Sequence, residues 1–338
     1  MIKLYEKIIQ ILKENYKFLI LLLLMIAFCT YEFPYYVDAP GGIINISSKM
    51  EVSNGYPSKG SFNLAYVSEY KGTLPILLLA NLKKDWDIVK KEDIILENET
   101  IEENNYRNQL LLKEANHNAI IVAYKNAGKE VQIKNQKLFV TYIAKDGKND
   151  LKVKDQILEV NGISIQGKED FDNAVKGAQL GDILKIRVLR DQKEKEVQAE
   201  VYELDGRIVV GVLLTEEMDL EANPNIKFRF DSTESGPSGG LMMSLAIYNA
   251  LIEEDITHGK TIVGTGTIES DGTVGEIGGV EYKLKGAVKE HADYFFVPKE
   301  NYEEALKIKE DNHYEIPIVS VSSFEEALNY LKAIDKKD

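Results

Sequence analysis

Glu234-Ser235-Gly236-Pro237-Ser238-Gly239-Gly240 runs directly into Leu241-Met242-Met243-Ser244-Leu245-Ala246-Ile247-Tyr248-Asn249-Ala250-Leu251-Ile252. The second stretch is mostly apolar at helical spacing and predicts a buried helix. The glycine-rich stretch predicts a turn at its head. A serine there has two readings. Ser is a favoured helix N-cap, and taken alone such a turn is more often structural than catalytic. The same position also lies beside the free N–H groups and positive dipole end of the helix, where the oxyanion of a tetrahedral intermediate is stabilised.

The downstream sequence decides between them. Thr265-Gly266-Thr267-Ile268 is followed by Gly272, Val274 and Ile277, and then by Gly278-Gly279-Val280-Glu281-Tyr282-Lys283. A serine hydroxyl is a poor nucleophile until a base takes its proton. A lysine serves as that base only where burial or another cation disfavours its ammonium form. Ser238 in a glycine-rich turn with Lys283 behind a Gly-Gly pair supplies the parts of a Ser–Lys dyad. Lys285 and Lys289 are rivals for the base. Lys285 lies two residues from Lys283 and faces elsewhere on a helix, and both read as surface charges.

This C-terminal part resembles the proteolytic domain of the Lon protease family. There the nucleophile lies in a Gly-Pro-Ser-small-Gly turn, and the lysine follows a Gly-Gly-aliphatic run. The resemblance implies Ser238 as nucleophile, Lys283 as base, Thr265 as the hydroxyl that orients the lysine, and Gly236, Pro237 and Gly239 as the supporting turn. Ser235 stands where the family often has an acidic residue, and Asp231 and Glu234 are offset from that place. Whether a third carboxylate takes part is therefore open. Tyr294–Pro298 and Ile316–Val321 read as strands, with a helix from about Asn301 between them. Ser323-Phe324-Glu325-Glu326 reads as a capping box.

Upstream, Leu138–Ile143, Asp155–Gly162 with its Asn-Gly turn, Lys168–Lys176, Ile183–Leu189 and the tract around Val197 and Val201 give the order strand, strand, helix, strand, strand. That order resembles the circularly permuted PDZ domain of bacterial proteases; any small β-rich domain is the alternative. PDZ domains add a peptide to a sheet edge. No clear counterpart of the glycine in their carboxylate-binding loop stands near Asn135–Leu138, so positioning of substrate is expected rather than capture of C-termini.

At the N-terminus, Phe18 to Cys29 is an unbroken apolar run of 12 residues, short against the about 20 of a spanning helix. A signal-peptide core competes by length. The bulky Tyr31, Phe33, Tyr35 and Tyr36 that follow suit a membrane interface better than a cleavage site. Lys3, Lys7, Lys13 and Lys17 precede the run, which puts the N-terminus in the cytoplasm. The expected organisation is α+β: a cytoplasmic tail (1–17), a transmembrane anchor (18–37), an extracytoplasmic segment (38–128), a PDZ-like domain (129–204) and a Lon-type proteolytic domain (205–338). Gly41–Ser68 and Glu102–Ala127 are expected to belong to the catalytic fold, with the PDZ-like module inserted into it. The whole order resembles the membrane-anchored PDZ–Lon-type surface proteases of low-GC Gram-positive bacteria. That likeness implies peptide or protein substrates and hydrolysis without ATP.

Composition narrows the choice further. A formal charge of −14 disfavours nucleic acid as a partner. The only cysteine, Cys29, lies in the apolar run, and the four histidines are scattered, so neither an intrachain disulfide nor a zinc site is expected. Gly259-Lys260-Thr261 ends like a phosphate-binding loop, yet Glu254 stands where its first glycine belongs. No nucleotide, metal or other cofactor is expected. A catalytically silent PDZ scaffold, or an adaptor delivering substrates to another protease, is the alternative function.

Overall fold

The structure, a computed structural model, describes residues 2–204 and 206–334. The chain divides into two compact units, Met1–Pro40 with Val67–Ile94, and Gly41–Tyr66 with Ile95–Asp338.

The first unit begins with helices Ile2–Glu14 (α1) and Tyr16–Thr30 (α2), which break at Asn15. It takes the first part of strand Glu32–Asn45 (β1) and the last part of strand Ser61–Thr73 (β3). Helices Leu74–Ala80 (α3) and Lys91–Ile94 (α4) flank strand Asp87–Lys90 (β4), which pairs antiparallel with Tyr35–Asp38. The helical part of the expected 18–37 anchor therefore ends at Thr30. Phe33, Tyr35, Tyr36 and Val37 are aromatic or β-branched and favour the strand. At 15 residues α2 is about 22 Å long, and among the described residues no helix is long and apolar enough to cross a membrane.

In the second unit, Met50–Val52 (β2) precedes the long helix Ile101–Asn126 (α5). Thr100 and Glu103 close a capping box at its start. Next come strand Glu130–Ile143 (β5), strands Gln156–Val160 (β6) and Ile163–Ser164 (β7), and helix Lys168–Lys176 (α6). Strands Ile183–Arg190 (β8), Lys193–Glu200 (β9), Tyr202–Leu204 (β10), Arg207–Val209 (β11), Val212–Asn223 (β12) and Ile226–Phe228 (β13) follow. The C-terminal part holds helix Gly240–Leu251 (α7), strands Thr261–Gly264 (β14), Thr267–Ile268 (β15) and Val274–Gly275 (β16), and helix Val280–Lys289 (α8). Strand Tyr294–Pro298 (β17), helix Tyr302–Asp311 (α9), strand Ile318–Val321 (β18) and helix Phe324–Ile334 (α10) complete it.

The catalytic layer is a sheet in the order β18-β17-β14-β3-β1, with β14 parallel to both β17 and β3. Its central parallel strands β14 and β17 are buried on both faces. Ile262 and Phe296 join a core with Ala119 and Tyr124 of α5, Leu241 and Leu245 of α7, and Leu331 of α10. Their neighbours Val263, Phe295 and Val297 point the other way, onto Leu284 and Ala287 of α8 and Ala305 of α9. Ser61–Leu64 pairs with Thr261–Gly264 and α5 packs on α7, so residues on both sides of the PDZ-like module build the layer that carries the C-terminal helices.

The PDZ-like module has its own core of Leu138, Val140, Ile157, Phe171, Leu184, Ile186, Val188 and Val197. Its sheet runs β12-β5-β6-β8-β9, so β12, which lies beyond residue 204, belongs to it. β12 pairs antiparallel with β5 from Val212↔Ile143 to Asn223↔Glu130 and also packs against α6. β12 is thus an edge strand of this sheet, and its outer side pairs with no other strand among the described residues. Glu216 of β12 accepts from the Lys168 amide at the start of α6, and Lys168 Nζ reaches Glu114 of α5 at 2.7 Å.

Packing is close around Gly264, where an added Cβ would lie 2.6 Å from Met242 Sδ and 2.8 Å from the Phe296 Cβ and carbonyl oxygen. Gly264→Ala should therefore destabilise the domain by about 1–3 kcal/mol. Thermal unfolding checks this; an unchanged Tm would refute the packing.

Candidate active site

Ser238 lies one residue ahead of the α7 N-cap, which is Gly239 and has no side-chain cap. Of the two readings of Ser238, the N-cap one does not hold: Gly239 occupies that position. Gly236 turns the chain with φ +89°, in the left-handed region that glycine enters without strain. Its amide donates to the Asn108 carbonyl of α5 at 3.0 Å. The Pro237 carbonyl accepts from the Gly240 amide at 3.1 Å.

The serine backbone is then tied to the end of β14. The Ser238 carbonyl accepts from the Gly266 amide at 2.7 Å and from the Thr265 hydroxyl at 3.1 Å. The Leu241 amide donates to the Gly266 carbonyl at 3.1 Å. Side chains larger than hydrogen do not fit this seam. A Cβ on Gly240 would lie 2.7 Å from Ile268 Cγ2, and one on Gly239 would lie 3.1 Å from Leu64 Cδ2. Among the described residues, the amides of Ser238 and Gly239 donate to no protein acceptor. They stand free at the head of a helix whose side chains are almost all buried, where the dipole favours negative charge.

Lys283 is in the first turn of α8, which packs against β14. Gly279, in the left-handed conformation at φ +70°, begins that turn. Asn301 braces the preceding loop, with Oδ1 accepting from the Ile277 amide and Nδ2 donating to the Ile277 carbonyl, each at 2.9 Å. Lys283 is only 4% exposed, beside the buried Val280, Leu284 and Ala287. Burial alone pulls its pKa from 10.5 down to about 8. Among the described residues no carboxylate pairs with it.

Three expectations change. Thr265 is fully buried, and its hydroxyl holds the Ser238 carbonyl rather than the lysine. Asp231 and Glu234 both pair with Lys49, at 2.7 and 2.9 Å, so the two offset carboxylates fasten the approach to the turn. Lys285 is not a free surface charge; it pairs with Glu281 at 2.7 Å and its side chain is 11% exposed. Lys289 is exposed, as is His291. Gly259-Lys260-Thr261 leads into strand β14 rather than into a helix, unlike a phosphate-binding loop. Among the described residues no group of His, Cys, Asp and Glu is placed to hold a metal. A cavity of about 440 Å³ bordered by Ser58, Phe62, Ala246 and Asn249 includes neither Ser238 nor Lys283.

Sequence reasoning missed the asparagines that brace the site. Asn301 holds the loop before α8, Asn108 receives the turn, and buried Asn118 of α5 donates to the Ile268 carbonyl at 3.0 Å. The only signal was an amide inside an otherwise apolar helical stretch, as at Asn118.

Comparison with known proteins matches these elements. Residues 231–333 fit the sequence model of the Lon protease (S16) C-terminal proteolytic domain, and residues 122–201 fit that of the PDZ domain. Lon protease 2 of Bacillus subtilis is 35% identical over 94 residues, covering 28% of this chain and 16% of that protein. The Lon protease of Campylobacter jejuni is 25% identical over 187 residues, covering 52% of this chain and 22% of its own length. The Lon protease of Desulfatibacillum aliphaticivorans is 27% identical over 138 residues, covering 38% of this chain and 16% of its own length. The chain thus spans less than a quarter of these relatives. Among solved structures, the PDZ domain of an SdrC-like protein of Listeria innocua is 22% identical, covering 23% of this chain and 92% of that one, with a TM-score of 0.22. The chain carries a Lon-type proteolytic domain and a PDZ domain, and these matches support serine endopeptidase chemistry.

Burial of Lys283 has a consequence for stability. Its folded pKa of about 8 lies below the 10.5 of the unfolded chain. The cost of burying the ammonium is full below pH 8 and is relieved as pH rises from 8 toward 10.5. Lys283→Met should therefore stabilise the protein at pH 7 by on the order of 3 kcal/mol, with the gain shrinking at higher pH. Urea unfolding at pH 7 and pH 9.5 checks this; a pH-independent difference would contradict a buried lysine.

Proposed function

We propose that this chain is a membrane-anchored serine endopeptidase that cleaves peptides or proteins at the outer face of the cell membrane without nucleotide hydrolysis. The observation that carries the reading is the pairing of environments. Ser238 heads a buried helix with two unused amides beside it, and Lys283 is a buried lysine neutral near pH 8. Neutral Lys283 takes the proton from Ser238 Oγ as the oxygen attacks the scissile carbonyl. The amides of Ser238 and Gly239 hold the resulting oxyanion. The lysine ammonium then gives its proton to the departing amine, and water activated by the regenerated lysine hydrolyses the acyl-enzyme.

The anchor reading is supported by α2, where no side chain is buried and Phe18–Phe28 are exposed apolar residues apart from the half-buried Leu19. The lysine bias before it supports a cytoplasmic N-terminus. The PDZ-like module serves as a positioning element.

Ser238→Ala and Lys283→Ala should each reduce peptide cleavage by at least about three orders of magnitude with the fold retained. Thr265→Val should cost only about tenfold, since the Gly266 amide still holds the Ser238 carbonyl. The wild-type rate should rise with pH and level off above about pH 8. Full activity in folded Lys283→Ala, or a rate that falls between pH 6 and 8 in a stable protein, would overturn the dyad.

A further inference from the structure

We propose that the first unit touches the lipid bilayer with a second element besides α2: helix α3 and the turn after it, Leu74 to Trp86. The inference rests on the reading of α2 as the membrane anchor. Helix α3 has the sequence Leu-Pro-Ile-Leu-Leu-Leu-Ala and packs against α2. Its leucines are not spent on a protein core. Leu78 is 53% exposed, Leu79 43% and Leu82 82%, the highest exposure of any large apolar residue among the described residues. A cluster of this kind on a folded unit marks a contact surface.

Its position in the unit selects lipid as the occupant. Gly72, just before α3, sits so close to Tyr35 that a Cβ there would lie 2.4 Å from the Tyr35 carbonyl oxygen. Lys71 pairs with Glu32 at 2.9 Å. Both contacts fix the start of α3 at the C-terminal end of α2, where the chain leaves the apolar run. A helix of about 22 Å falls short of a hydrocarbon core of about 30 Å. Short spans are accommodated by local thinning of the bilayer and by interfacial residues at the helix ends. Leu78, Leu79 and Leu82 stand at the end where that shortfall arises.

The residues that follow have the order of an interface. Lys83 and Lys84 are exposed directly after Leu82, in a turn held by the Leu79 and Ala80 carbonyls. Next comes Trp86, stacked on Tyr70 with ring centroids 5.4 Å apart. Tyr31 and Phe33 form a second aromatic pair at the exit of α2, at 4.8 Å. Aromatic rings at headgroup level and lysines reaching outward flank membrane-seated segments. Asp85 and Asp87 offset the two lysines in charge, so apolar area rather than charge attraction sets this contact.

The chain provides one reporter for each element, because Trp86 is its only tryptophan and Cys29 its only cysteine. The full chain, with an environment-sensitive dye on Cys29, is reconstituted into phosphatidylcholine–phosphatidylglycerol vesicles carrying brominated acyl chains. Trp86 emission should shift to the blue and be quenched more by shallow than by deep bromines. Leu78→Glu with Leu82→Glu should abolish that quenching while the Cys29 dye stays in lipid and the variant still cleaves a soluble peptide. Unquenched Trp86 with the dye in lipid would overturn the proposal and leave the anchor standing. Quenched Trp86 with the dye in water would support the α3 contact and reject α2 as the anchor. Reporters both in water, or quenching undiminished in the double variant, would overturn the proposal.

Discussion

The Ser238 carbonyl, held by the Gly266 amide and the Thr265 hydroxyl, is the contact on which the site depends. It joins the head of α7 to the end of β14, and the close seam of Gly239, Gly240 and Gly264 lets helix and sheet approach without intervening side chains. Gly239, not Ser238, is the N-cap of the helix. Among the described residues the amides of Ser238 and Gly239 donate to no protein acceptor at the positive end of this buried helix. Lys283 lies on α8, which packs on β14 from the opposite layer, and burial there lowers the lysine pKa.

The PDZ-like module enters this layer by way of a two-stranded ribbon. Strand β5 leaves from the end of α5 and β12 returns beside it, twelve positions in register apart from two shifts. β12 is also the edge strand of the module, so the module's sheet and the approach to Ser238 share one continuous piece of backbone. Its lower end leads through β13 to Ser238. Lys168, Glu114 and Glu216 fasten the module to α5.

Local signals were legible in the sequence. Tyr294–Pro298 and Lys168–Lys176 fall on the expected residues, and α7 is shifted by one position at each end, because apolar period and flanking turns are encoded over a few residues. The capping box expected at Ser323 is half present: Ser323 accepts from the Glu326 amide, but the Glu326 carboxylate bonds to Ser322. Contacts between distant segments were not legible. Nothing local in Val212–Glu217 reports that it fills the edge of β5, and nothing in Thr265 shows whether its hydroxyl faces the lysine or the serine carbonyl. The stretch after Thr30 was read as an extension of the anchor, since aromatic residues suit both an interface and a strand. Its pairing with β4 made it a strand.

The central claim is that Ser238 is made nucleophilic by the buried, neutral Lys283. Acylation by a β-lactone probe, followed by peptide mapping and timed across pH, tests it most directly. The account requires a single acyl group on Ser238, formed at a rate that rises to a plateau near pH 8 and collapses in Lys283→Ala. Acylation of Ser238 in that variant at the wild-type rate, or an acyl group on another residue while Ser238 stays free, would contradict it.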